Sequence, residues 1–496
     1  MGFKEDADFA RFVSMGAVGT AAVADHLRKQ HGHVPIELER YAMANKVWQT
    51  KVKRLRLPDL VCTRCGIRVE SRAKSKLGIV LSHSEAPDRG WDAGGMRGDD
   101  LYAFLRADLS QFPPYVSPPW YFSTDGLRRS IDKARLRDPK AASEGSEVTL
   151  SWPSWVPGRD GEFAGVDDDG RLVCEWSDGS TYRYWQWRNW GDPRHVYVEP
   201  GGAIVADETI LAGSPSPVPT IDCAGDVWDI AAALHSGDPI DRYSAIKAAG
   251  ALGRGDLASD LEAICDGEDD WRVRLEAAGS LALLDPETWT DFLVDIAHDS
   301  EPSDDVRIEA TFVLSELPTS EALDGLESIA AAHSGCPLEI RAAAAWGLGQ
   351  GEVARPNALL ALMEDEDLLV RLHAFSAIND LPNDAVERLV GWLSEGKTMR
   401  AAAAANLLGR HRHIDALLDA YDVGGDSRLW AIRTLGDIPE EEVRNLAGER
   451  LTDELETALQ ALWITEHDWV REGSDGVEAL EVQKVRFNPL DPSLDD

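Results

Sequence analysis

The chain has 496 residues, 44% of them hydrophobic, enough for buried cores in about three domains. Its 87 acidic against 50 basic side chains give a formal net charge of −37. No run of 18 apolar residues occurs, the opening MGFKEDADFA has no signal-type apolar core behind it, and the six cysteines are scattered. A membrane-spanning chain and a secreted disulfide framework are thereby excluded, and a cytoplasmic protein with reduced thiols is expected.

In chain order, a first helix is predicted from about Gly16 to Gln30 and a second from about Pro35 to Lys46, with Pro35 near its start. Two β-like segments follow, KVKRLRLPDLVC and IRVESRAKSKLGIVLSHS, joined by the tight turn CTRCG, where Gly66 can take positive φ. Period-two geometry puts Glu70, Arg72, Lys74 and Lys76 on one face of the second strand and Val69, Ser71, Ala73 and Ser75 on the other. Residues 40–76 carry eleven Lys or Arg against two acids, Asp59 and Glu70. In so acidic a chain this island is where an anionic partner, nucleic acid above all, is expected, with Lys46, Lys51, Lys53, Arg54, Arg56 and Lys76 as contact residues.

Two carboxylates on adjacent strands can hold Mg²⁺ or Mn²⁺ through oxygen, while a cation one pleat along steadies a developing phosphorane. Asp59 and Glu70 are the candidate ligands. Here residues 15 to 110 resemble the PD-(D/E)XK nucleases: Pro58-Asp59, then Glu70-Ser71-Arg72 after a hairpin, and Glu39 as the extra acid on the preceding helix. The resemblance implies an α/β nuclease-like domain over residues 1–140 acting on DNA, foreign or modified DNA included, with Asp59, Glu70, Arg72, Lys74 and Glu39 as its catalytic set. Arg72 stands where the family has lysine, and it stays charged but cannot act as a base, which leaves that role to Lys74. The Cys-x-x-Cys-Gly turn also resembles the hairpin of zinc-bearing restriction enzymes that recognise methylated adenine. Cys62 and Cys65 have the spacing of half a zinc site, with His31 and His33 as the nearby pair upstream; reduced cysteines at a turn are the alternative.

Residues 146–211 read as a small β domain, in which GEFAGV, RLVCEW and TYRYWQWR alternate with the turns DDDGR and SDGS. Its tryptophans (Trp152, Trp155, Trp176, Trp185, Trp187 and Trp190) suit a core better than a base-stacking cage, and Trp185 and Trp187 are expected to share a strand face with Arg183. GSPSPVP opens a linker over 213–225.

From 226 to 470 an arginine repeatedly opens an Ala- and Leu-rich helix, at Arg242, Arg274, Arg307, Arg341, Arg371, Arg400 and Arg428, in steps of 28 to 34 residues. That period belongs to solenoids of paired helices. The pattern resembles HEAT repeats of the short kind also found in phycobilin lyases, which implies an all-α solenoid, a protein partner on its surface, and structural arginines paired with an Asp of a neighbouring repeat. This half holds 49 of the 87 acids and 18 of the 50 bases, which disfavours DNA wrapping. Residues 471–496 form an acidic tail, and the composition as a whole resembles that of proteins from salt-accumulating cells, where screening over about 3 Å at 1 M salt tolerates dense charge. Two functions therefore stand: a metal-dependent nuclease-like protein with a HEAT-repeat scaffold, or a non-catalytic adapter whose basic patch binds nucleic acid or an acidic partner.

Overall fold

The computed structural model describes residues 6–38, 55–84, 90–92, 95–110, 113–142, 145–192, 194–218, 220–267, 270–332, 336–350 and 355–463. Glu39, Lys46, Lys51, Lys53, Arg54 and the acidic tail lie outside them. By contacts the chain divides into Met1–Leu284 and Asp285–Asp496.

The first unit opens with α1 (Asp6–His31), longer at its N-terminus than the sequence predicts. Where a second helix is expected from Pro35, the chain is extended: β1 (Pro35–Glu37) pairs antiparallel with β2 (Leu60–Cys62), Pro35 opposite Cys62. Proline at the end of an edge strand gives up no ladder hydrogen bond, and pairing with the apolar β2 overrides the helical pattern. β2 turns through CTRCG into β3 (Arg68–Lys74), with Gly66 at φ +72 where a side chain would meet the Trp228 ring. β4 (Val80–His83) leaves for another sheet, and β5 (Leu101–Asp108) returns parallel to β3. β6 (Tyr115–Val116) and β7 (Trp120–Ser123) both pair with β5, completing a six-stranded mixed sheet.

α1 covers one face of this sheet. Val23, Ala24 and Leu27 pack on Leu60, Val69, Leu101, Ala103 and Leu105. Gly19 is required there, since a Cβ would overlap that of Ala73. The alternation predicted for β3 is therefore present: Val69, Ser71 and Ala73 face α1, while Glu70 and Arg72 register beside Tyr102 and Phe104 on the opposite face. That opposite face is not open. Tyr102, Phe104 and Phe122 are buried against Ile79, Leu81, Leu150 and Trp152. α2 (Thr124–Arg129), capped by Ser123, follows β7, and β9 (Gly145–Ser151) pairs with both β4 and β8 (Arg135–Ala142), the three-stranded sheet that brings Leu81 and Leu150 into this core.

The tryptophan-rich segment forms two small sheets. One joins β10 (Ser154–Trp155), β14 (His195–Val196) and β16 (Ala212–Gly213); the other has β11 (Gly161–Val166), β12 (Leu172–Trp176), β13 (Thr181–Tyr184) and β15 (Gly202–Ile204). Strand β13 stops at Tyr184 and a 3₁₀ turn takes over at Gln186. Trp185 and Trp187 therefore do not share a strand face: Trp187 is buried with Phe163, Leu172 and Trp176, and Trp185 is exposed between the guanidinium groups of Arg171 and Arg188, 4.0 and 4.7 Å from its ring centre. Trp152 belongs to the core of the preceding α/β part.

Every regular element described after residue 229 is a helix. The first unit includes α3 (Ile230–Leu234), α4 (Pro239–Ala251), α5 (Ala258–Gly267) and α6 (Trp271–Leu284). Asp229 and Asp238 cap α3 and α4, and Pro239 occupies the first turn of α4, where its missing N–H costs nothing. Tyr243, Trp228 and Ile240 pack on Leu38, Leu57 and Val61, so the first repeat is fused to the α/β part.

The second unit contains α7 (Pro286–His298), α8 (Asp304–Ser315), α9 (Ser320–Ala330), α10 (Leu338–Gly347), α11 (Pro356–Leu362), α12 (Leu368–Ala377), α13 (Asn383–Leu393), α14 (Met399–Arg410), α15 (Ile414–Val423), α16 (Gly425–Gly436), α17 (Glu440–Ala447) and α18 (Asp453–Trp463). Even-numbered helices neighbour one another, as α8 with α10 and α10 with α12, and odd-numbered ones do likewise, as α7 with α9 and α13 with α15. Alanines make the close even-numbered contacts; Ala342 to Ala345 of α10 are all fully buried. No helix among the described residues is long and apolar enough to cross a membrane.

Candidate metal centre

Three stretches far apart in sequence meet at the C-terminal end of α1. His33 follows α1, Cys62 and Cys65 flank the β2–β3 turn, and Cys223 arrives from the segment ahead of α3. One donor atom from each of the four lies within 4.8 Å of every other. Cys62 Sγ is 3.9 Å from Cys223 Sγ, too far for a disulfide, and Cys65 Sγ is 3.5 Å from His33 Nδ1. His33 and Cys62 are buried, at 3% and 2% exposure.

The backbone explains the convergence. Gly66 N–H donates to the Cys62 carbonyl and Cys62 N–H to the Ile67 carbonyl, which curls the CTRCG turn so that both thiols point inward. Thr63 N–H donates to the Val34 carbonyl, holding the turn against the residue after His33. Cys223 N–H donates to the His31 carbonyl at 2.9 Å, and His33 Nε2 hydrogen-bonds the Ile221 carbonyl at 2.7 Å. Since a carbonyl only accepts, Nε2 carries the proton and Nδ1 presents its lone pair to the thiols. Hydrogen bonding to Cys65 and then to His33 holds the Cys62 thiol far down, at about 3. Burial pulls the His33 imidazole down, but its bonds to Cys62 and the Ile221 carbonyl outweigh this and leave it raised. Of this donor set the sequence shows Cys62 and Cys65 by spacing and His33 as one of a nearby pair; no local signal links Cys223 to them.

The segment read as a linker is thus part of the site. Beyond Cys223, Asp226 pairs with Arg64 at 2.7 Å, and Val227 and Trp228 donate to the Arg64 carbonyl. Beside it, His31 Nδ1 lies 2.9 Å from Asp222, and His26 Nδ1 lies 3.1 Å from the Tyr121 hydroxyl. His31, Asp222, Trp120, Tyr121 and Tyr197 line a cleft of about 460 Å³, a grouping the sequence does not suggest.

The acids expected to bind Mg²⁺ or Mn²⁺ are engaged elsewhere. Asp59 lies on the bend before β2, not on a strand, and accepts from the Ser71 amide at 2.6 Å. Burial pushes its carboxyl up from the ordinary value, against the pull of Arg72 and the Ser71 amide. Glu70 is ion-paired with Arg72. Lys74 donates to the Val80 carbonyl at 2.8 Å. Among the described residues, the His33–Cys62–Cys65–Cys223 group alone brings three or more potential ligands together, and neither Asp59 nor Glu70 is in it. In the described connection from β3 to β5 there is a strand and no helix.

In the described part of the basic island Arg68 is buried and Arg64, Arg72 and Lys74 are half-buried, while Arg56 and Lys76 are exposed. Arg68, 2% exposed, is ion-paired with Asp241 of α4; Arg64 holds Asp226; Arg56 donates to the Gly90 carbonyl. Arg64 and Arg68 thus serve the junction with the segment before α3 and with α4, and Lys46, Lys51, Lys53 and Arg54 of the island lie outside the described residues.

A family model for HEAT repeats matches residues 229–315, and no match was found among curated proteins. The matched helices and the all-helical region after them are HEAT-like.

Proposed function

We infer that the protein is a non-catalytic binding scaffold whose HEAT-like helices offer an acidic surface to a basic macromolecular partner. The observation that carries this reading is a succession of exposed acids on the odd-numbered helices of the second unit. Glu287, Asp291 and Asp295 recur every fourth residue on α7, Glu321, Asp324 and Glu327 every third on α9, and Asp415, Asp419 and Asp422 on α15, all exposed. Such spacing places each trio on one face of its helix. Arg355 reaches Asp324 and Glu327, and Arg450 reaches the α15 trio, but the α7 row carries no basic residue before His298.

Three of the repeat arginines add nothing to that surface. Arg274, Arg307 and Arg341 turn inward to the last carbonyls of the preceding helices, Cys265, Ala297 and Ala330. A single-sign surface of this kind steers an oppositely charged partner and rejects nucleic acid by repulsion. The nuclease reading gains no comparable support, because Glu70 is held by Arg72 and Asp59 by the Ser71 amide.

The test is capture from extract with the full chain and with a Glu287→Lys/Asp291→Lys/Asp295→Lys variant of equal helicity. Basic proteins retained by the parent, lost from the variant and released by added KCl are expected. An identical set retained by both, insensitive to salt, would overturn the reading.

A further inference from the structure

We propose that His33, Cys62, Cys65 and Cys223 bind one Zn²⁺ in a closed, structural centre that bolts the start of the helical array to the α/β part of the first unit. A tetrahedral ion with bonds of about 2.3 Å to sulfur and about 2.05 Å to nitrogen sets sulfur–sulfur edges of about 3.8 Å and sulfur–nitrogen edges of about 3.6 Å. The Cys62–Cys223 and Cys65–His33 separations are 3.9 and 3.5 Å. Three thiolates and an imidazole are a soft donor set, which selects zinc over the oxygen-seeking Mg²⁺ and Ca²⁺.

The surroundings are those of a ligand shell. The Ile221 carbonyl fixes the His33 tautomer and aims Nδ1 inward, and Val34 N–H points at Cys62 Sγ at 3.4 Å, as amides do around metal-bound thiolates. All four positions of a tetrahedron are filled by protein, which leaves no open site for water or substrate and makes the role structural. Cys62 and Cys223 are 161 residues apart, so one ion closes a long loop. Around that closure stand the Arg64–Asp226 and Arg68–Asp241 pairs and the packing of Trp228 over Gly66. The inference is independent of the scaffold reading, since a zinc-bolted junction would serve any function of the helical array.

The full chain, purified without added metal, is expected to contain one zinc per chain by elemental analysis, falling to near zero in Cys223→Ser and staying at one in Cys265→Ser and Cys336→Ser, whose thiols lie outside the group. Should Cys223→Ser fail to fold, the parent decides alone: after mild chelation, Co²⁺ should restore one equivalent with the intense visible bands of tetrahedral cobalt thiolate. A folded parent that holds no zinc and gives only the weak bands of six-coordinate cobalt would overturn the proposal, as would zinc retained in full by Cys223→Ser.

Discussion

Asp59 and Ser71 show how a residue that looks chemical in sequence is explained by what it touches. The Asp59 carboxylate receives the Ser71 amide at 2.6 Å, so it satisfies a backbone donor in the middle of β3. Asp59→Ala is expected to lower stability by about 1–3 kcal/mol, the cost of a buried donor left unmade. Asp59→Asn keeps an acceptor there and should cost less; equal losses in urea titrations would show that the amide contact does not matter. His373 makes a second prediction at this scale. It is 5% exposed on α12, and burial holds its imidazole down, to about 4. Because the fold favours the neutral ring, the unfolded chain takes up the proton first as pH falls below about 6.5. Stability should therefore decline between about pH 6.5 and 4, by up to about 3 kcal/mol, with nothing further from this group below that. Unfolding curves of the parent and His373→Gln at pH 7 and 4.5 check it, and the variant should show the shallower decline.

At the scale of elements, the helices of the repeats were the most legible part of the sequence, and the arginines explain why. The end of a helix leaves orphan carbonyls, and at Arg274, Arg307 and Arg341 an arginine near the start of a later helix reaches those of the helix before it. Arg341 does this for Ala330 and also pairs with Asp365 and Asp367 ahead of α12, the cross-repeat partnership that the resemblance to HEAT repeats implies. Asp365 and Arg341 are both nearly fully buried. Arg341→Met, which strands that carboxylate, should cost about 3–5 kcal/mol. Arg400, half-exposed, ion-paired with Glu395 and Glu364 and lying over the Trp392 ring, should cost only about 1 kcal/mol on truncation to Ala. Thermal unfolding of the two variants side by side measures the difference, and similar losses would contradict the division into structural and surface arginines. The strands were less legible. Period two identified β3 and its two faces, but helical pattern at 35–38 yielded to pairing with β2, a partner more than twenty residues away, and the run TYRYWQWR gave no local sign that its strand ends at Tyr184.

At the scale of the whole molecule, part of the basic island that the sequence offers as a functional centre is engaged by acids from far along the chain. Charge along the chain cannot tell a cation meant for phosphate from one meant for a carboxylate arriving from far away. Arg68 waits for Asp241 and Arg64 for Asp226, 173 and 162 residues on. The same long-range closure hid the candidate metal-ligand group, since half of it reads as an isolated Cys-x-x-Cys and Cys223 stands alone in a stretch that reads as a linker. Glu70 tied to Arg72 and the acids of the helical half turned outward support the proposed reading, in which the molecule binds and does not cut. Incubation of the full chain with plasmid, linear DNA and RNA in Mg²⁺ or Mn²⁺, beside an Asp59→Ala/Glu70→Ala variant, tests this most directly. The account predicts that every substrate stays intact with both proteins; cutting by the parent that disappears in the variant would contradict it.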